Sequence, residues 1–139
     1  MEYHVSVDVA AAPEQVWAVL ADVERWPEWT PMITRLRRVD SGAFGVGSTA
    51  RIKQPRLPTA LWRVTEFDPG RSFSWVSRRP GVRTEGGHRV TPAAGGATVT
   101  LSVRQAGLLA GPVGLLAGGL IRRYVQTEAQ NLKRRCEAA

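Results

Sequence analysis

Hydrophobic and polar positions alternate from the start of the chain. Tyr3, Val5, Val7 and Val9 fall on one side of an extended segment, and His4, Ser6 and Asp8 on the other. A period of two predicts a half-buried strand over 3–9 and sends His4 to solvent. The period then changes. Val16, Val19, Leu20 and Val23 recur at helical spacing behind Pro13. Proline suits the first helical position, where its missing N–H has no partner to lose. Glu14 complements the positive end of that helix. Asp22 is placed to cap a second short helical turn holding Glu24, Arg25 and Trp26. Pro27 and Pro31 break the pattern around Trp29.

Six further strands are predicted near 32–40, 47–54, 60–68, 71–78, 83–91 and 97–105. The connections SGAFGVG, RLP, DPGR, RPG and TPAAGG are short, as antiparallel hairpins require. Asp68-Pro69-Gly70 carries the clearest turn chemistry. A long amphipathic helix closes the chain over roughly 112–136, with Pro112 in its first turn. Leu116, Leu120, Tyr124 and Glu128 recur every four residues, and Ile121, Val125 and Leu132 widen the stripe. Arg122, Arg123, Gln126, Gln130 and Arg134 occupy the far side. Gly118 and Gly119 weaken its first half by about 1 kcal/mol each relative to alanine. The expected architecture is α+β. One seven-stranded antiparallel sheet is covered by one large helix, with two short helices after the first strand, in a single domain over 1–139.

Strand parity assigns side chains to the face under the long helix. Trp62, Val64 and Glu66 share it, as do Phe73, Trp75 and Ser77. So do Thr84, His88 and Val90, then Val99, Leu101 and Val103, then Ala50, Ile52 and Gln54. A bulge would reverse everything downstream of it. His88 is the informative position, because it titrates near neutrality and can accept or donate a proton. It is either a satisfied core residue or a polar group facing a ligand. Gly86 and Gly87 before it let the strand bend or admit a ligand closely. Glu66 either sits in water at a rim or is buried and paired. Tyr124 either packs with its hydroxyl satisfied or meets a ligand. Trp26, Trp29, Trp62 and Trp75 supply apolar walls, and Trp17 on the first helix is the best candidate for plain core.

Charge and composition change this picture little. The net charge is +7, and of 19 basic residues only Lys53 and Lys133 are lysine. Arginine suits phosphate, but these arginines are scattered and no nucleic-acid-binding motif accompanies them, so no nucleic-acid partner is expected. Cys136 stands alone, so no internal disulfide forms, and it reads as a passive thiol. Neither a leader pattern nor an apolar run long enough to span a bilayer is present in these residues, and a cytoplasmic protein is expected. The histidines and the cysteine form no metal set, and GAFGVG at 42–47 lacks the lysine of a phosphate loop. Neither metal nor cofactor is expected.

Three segments carry a family resemblance: VDVAAAPEQVWAVLADVERWPEWTP at 7–31, WRVTEFDPGRSFSW at 62–75, and LKRR near the end. The first, a strand, a proline-opened helix and a Trp-Pro-x-Trp turn, is the most specific. The chain resembles the polyketide cyclase/dehydrase and lipid-transport branch of the START-like (SRPBCC) superfamily. The resemblance implies a helix-grip fold, a curved sheet around the terminal helix with a cavity between them. A binder of an apolar small molecule (lipid, polyketide or aromatic), acting as carrier or sensor, is the first reading. Its expected ligand contacts are Trp29, Met32, Gln54, Trp62, Val64, Phe73, Trp75, Thr84, His88, Val90, Leu101, Leu116, Leu120 and Tyr124. The alternative is a cyclase or dehydratase, with His88 as general acid/base, Tyr124 as hydrogen-bond donor and Glu66 orienting the histidine. A third reading has the apolar 106–121 segment touching a membrane without stable insertion. Monomer and homodimer both remain open.

Overall fold

A computed structural model describes residues 1–138. Strand β1 (Glu2–Val9) is followed by helix α1 (Pro13–Ala21) and a 3-10 helix (Val23–Glu28). Then come β2 (Arg35–Arg38), β3 (Thr49–Lys53), β4 (Ala60–Asp68), β5 (Ser72–Arg79), β6 (Val82–Ala93), β7 (Gly96–Ala106) and helix α2 (Ala110–Glu137). The strands form one sheet in the order β1-β7-β6-β5-β4-β3-β2, antiparallel throughout. Consecutive hairpins build six of the strands, and β1 closes against β7 with Val5 opposite Leu101. This is the helix-grip arrangement, with α2 laid against one face of the sheet.

Local chemistry accounts for the turns. At Asp68-Pro69-Gly70, Gly70 takes φ +80°, and the Arg71 amide donates to the Asp68 carbonyl at 3.0 Å. Proline followed by a left-handed glycine is what such a turn demands. Gly81 does the same at the β5–β6 turn with φ +79°. Strand β2 is shorter than the alternation suggested. Residues 30–33 turn instead, with the Ile33 amide on the Thr30 carbonyl. Asp22 sits at the N-cap of the 3-10 helix, but its carboxylate caps nothing. It lies 3.8 Å from Arg25 instead. Pro27 is accommodated inside that helix rather than ending it.

The core lies between the sheet, α1 and the C-terminal half of α2. Val16, Leu20, Val99, Ala129 and Leu132 are all but completely buried. Trp17 packs edge-on against Phe67 and Phe73, at 5.7 and 6.2 Å between ring centres. Polar ties fix the same half of α2. Asn131 donates to the Thr30 hydroxyl at 3.0 Å, Lys133 to the Asp8 carbonyl at 2.7 Å, and the Ala10 amide to Glu137 at 2.9 Å. The first half of α2 has far less packed against it, and Leu115 and Leu116 are about 90% exposed. Among the described residues, no helix is long and apolar enough to cross a membrane.

Candidate functional site

A cavity of about 400 Å³ lies between α2 and the sheet. Its exposed lining residues are Pro58, Arg79, Pro80 and Leu109. They come from the β3–β4 loop, the β5–β6 turn and the β7–α2 connection, so the mouth opens there. Its inner end is closed by Trp26, Ile33, His88 and Val125. Between mouth and inner end the walls are Trp62, Trp75, Leu101, Val103, Ala117 and Ile121. Gly86 allows the Trp75 indole to press on β6, because a Cβ there would stand 3.1 Å from the indole nitrogen.

His88 is held in an aromatic box. Its ring stacks on Phe73, with centres 4.2 Å apart and planes at 14°, and lies within 5.5 Å of Trp26 and Trp75. Nδ1 is 3.2 Å from the Phe73 carbonyl oxygen. A carbonyl only accepts, so Nδ1 carries the hydrogen, and Nε2 of the neutral ring is a bare acceptor. Burial pulls the imidazole down to about 4, against the smaller opposing effect of that hydrogen bond. At neutral pH the ring is uncharged.

The second ionisable group at depth is Glu128, one turn beyond Tyr124 on α2. It lines the cavity, and burial alone pushes its carboxyl up to about 7. Every ion pair among the described residues lies elsewhere. Sequence reading placed Glu128 on the inward stripe without giving it a role. A lone carboxylate one turn beyond Tyr124, on the stripe with Ile121 and Val125, was the available signal.

Of the residues expected to meet a ligand, Gln54, Trp62, Trp75, Thr84, His88, Leu101 and Tyr124 line the cavity. The others do not. Val64, Phe73 and Val90 point inward but are sealed in the core behind it. Trp29 is half-buried on another surface, beside Ala18, Val19 and Arg135, with Trp26 at 5.8 Å. Met32 is displaced from the lining by its neighbour Ile33. The Met32 amide turns to the Thr30 hydroxyl, so residues 30–33 are not a strand and parity fails there.

Three corrections follow from local geometry. The β4–β5 register shifts between Val64 and Glu66. The bulge turns Glu66 outward, where it is exposed, and brings Phe67 against the core. Leu116 is exposed, and Leu120 is half-buried and off the cavity. The inward phase of α2 runs through Val113, Ala117, Ile121, Tyr124 and Glu128 instead. The Tyr124 hydroxyl donates to the Pro55 carbonyl, so its single proton is already committed. Cys136 is buried, and its thiol is pushed up to about 11, mainly by burial. His4 is exposed, 2.7 Å from Glu2.

A sheet gripping a long helix around an end-opening cavity defines the START-like class of proteins. The chain belongs to the polyketide cyclase/dehydrase and lipid transport family, which it matches over residues 1–137. An uncharacterized protein of Mycobacterium tuberculosis is 29% identical over 111 residues, 77% of this chain and 65% of that protein. The matched region therefore spans just under two thirds of that relative's length. Among solved structures, the Zhui aromatase/cyclase from a Streptomyces species superposes with a TM-score of 0.82 at 19% identity, over 99% of this chain and 93% of that one. Ara h 8.0201 superposes with a TM-score of 0.79 at 12% identity, over 100% and 99%. At these identities the likeness speaks to the fold.

Proposed function

We propose that the chain binds an apolar small molecule, a lipid, polyketide or aromatic, inside the cavity and acts as its carrier or sensor. The observation that carries this reading is the cavity itself. Its volume of about 400 Å³ suits a compound of a few fused rings, its walls are indoles and aliphatic side chains, and it opens at one end. Three of the five tryptophans line it, so binding has a built-in reporter. Titration with 1-anilinonaphthalene-8-sulfonate should quench tryptophan emission with a micromolar Kd, about −8 kcal/mol. Emission unchanged at saturating probe would sink the reading.

A second reading, a cyclase or dehydratase, is supported by the two proton-bearing groups on the cavity wall. Neutral His88 offers Nε2 as a base, and Glu128 exchanges its proton near pH 7. Well-placed groups of this kind give about 10²–10⁴-fold. Turnover of a polyketide-like compound that falls by such a factor in His88→Ala, with its affinity retained, supports the enzyme. Turnover equal to that of the wild type removes His88 from the chemistry.

A further inference from the structure

We infer that the ligand is a ring compound bearing a neutral hydroxyl, and that it binds hydroxyl-first, donating to acceptors on the two facing walls of the cavity's inner end. This rests on the cavity reading above and names the chemistry of its occupant.

The argument is donor and acceptor accounting. On the cavity wall, the Tyr124 hydroxyl proton is taken by the Pro55 carbonyl and the His88 Nδ1 proton by the Phe73 carbonyl, while Ser77, Thr84 and Gln105 lie on the strand ends beside the β5–β6 turn, toward the mouth. At pH 7.5, above the value of about 7 to which burial lifts Glu128, what remains at the inner end accepts: Nε2 of His88 on β6, and the Glu128 carboxylate on α2, which is in none of the ion pairs among the described residues. The walls around them are Trp26, Ile33 and Val125. An acceptor facing an apolar chamber without a donor loses the hydrogen bonds it had in water. A ligand that brings a donor to that end recovers them, and one that brings only acceptors cannot.

A neutral hydroxyl fits better than an ammonium. A cation would pass Arg79, which is exposed at the mouth, in a chain of net charge +7. It would then shed its hydration in an apolar chamber against a single carboxylate. A phenol or alcohol makes the same hydrogen bond at a much smaller desolvation cost.

The test uses the full-length chain and three probes of similar shape: 2-naphthol, 2-methoxynaphthalene and 1-naphthylmethylammonium. Tryptophan quenching and calorimetry report each Kd at pH 7.5. The expected result is that 2-naphthol binds about tenfold or more tightly than 2-methoxynaphthalene, the size of one hydrogen bond to a charged acceptor. The ammonium should be the weakest. In His88→Phe and Glu128→Gln the preference for 2-naphthol should shrink, while 2-methoxynaphthalene affinity holds, which also shows that the variants are folded. Equal affinity of the two neutral probes in the wild type overturns the hydroxyl assignment and leaves the cavity reading standing. Tightest binding by the ammonium also overturns it, in favour of a cationic ligand. An unaltered preference in both variants overturns the role of these two residues. Binding of no probe overturns the cavity reading and this inference together.

Discussion

His88 and Phe73 sit opposite each other on neighbouring strands and are joined twice. Their rings stack at 4.2 Å, and Nδ1 of His88 lies 3.2 Å from the carbonyl oxygen of that same phenylalanine. The two contacts fix the tautomer and leave Nε2 to the cavity. They also make His88 a packing residue. His88→Ala should remove the stack, leave a void and strand the Phe73 carbonyl. A destabilisation of about 2–4 kcal/mol in urea unfolding is expected. His88→Phe refills the volume and should recover at least half of that. A loss below 1 kcal/mol in the alanine variant would show that the aromatic box does not hold the ring.

The two deep titrating groups oppose each other in pH dependence. His88 sits at about 4 when folded against 6.5 as its ordinary value. Between those values the unfolded chain holds the extra proton, so this group makes stability rise with pH. Glu128 sits at about 7 against 4.5, so between those values the folded chain holds the proton and stability falls with pH. Each difference corresponds to up to about 3 kcal/mol. The other ionisable side chains on the cavity wall are Arg79 and Tyr124. Glu2, Glu28, Asp40 and Glu137 are held below their ordinary values, and their stabilisation is lost only as pH falls below that range. Wild-type stability should therefore be nearly flat between pH 4.5 and 6.5. Glu128→Gln should turn it into a rise, and His88→Phe into a fall. Denaturant titrations at pH 5, 6 and 7 read this directly, and identical slopes in all three proteins would contradict it.

Tyr124 anchors α2 to the loop between β3 and β4 through the Pro55 carbonyl. Tyr124→Phe keeps the ring and removes that bond. About 1 kcal/mol should be lost, with faster hydrogen exchange at the Leu57 amide, which donates to Gln54 within the same loop. Unchanged stability and exchange would mean that the phenol carries no structural load.

The two halves of α2 should respond differently to truncation. Leu116→Ser changes an 89% exposed side chain and should alter stability by no more than about 0.5 kcal/mol. Leu132→Ala empties a completely buried site and should cost about 2–5 kcal/mol. Paired urea midpoints check both. A large loss at Leu116 would mean that the inward phase of the helix runs through that residue.

The sequence determined the element order, the hairpin connectivity and most strand bounds. These follow from short-range chemistry: alternation along strands, proline at a helix start, and glycine where a turn needs positive φ. Strand parity alone brought Trp62, Trp75, Thr84, His88 and Leu101 to one face, because a side-chain period of two is a property of the extended backbone. The tertiary structure decided the rest. A bulge between Val64 and Glu66 reversed parity in the second half of β4, and nothing in VTEF announces it, since pairing with β5 sets where the extra residue falls. The phase of α2 could not be read from leucines alone. Its C-terminal half is fixed by Asn131, Lys133 and Glu137 against distant segments, and that anchoring turns Leu115 and Leu116 outward. It also takes the Tyr124 proton into a loop nearly seventy residues away and sets Glu128 across the cavity from the sheet that bears His88. A pattern shows which residues share a face, but only packing decides what that face meets.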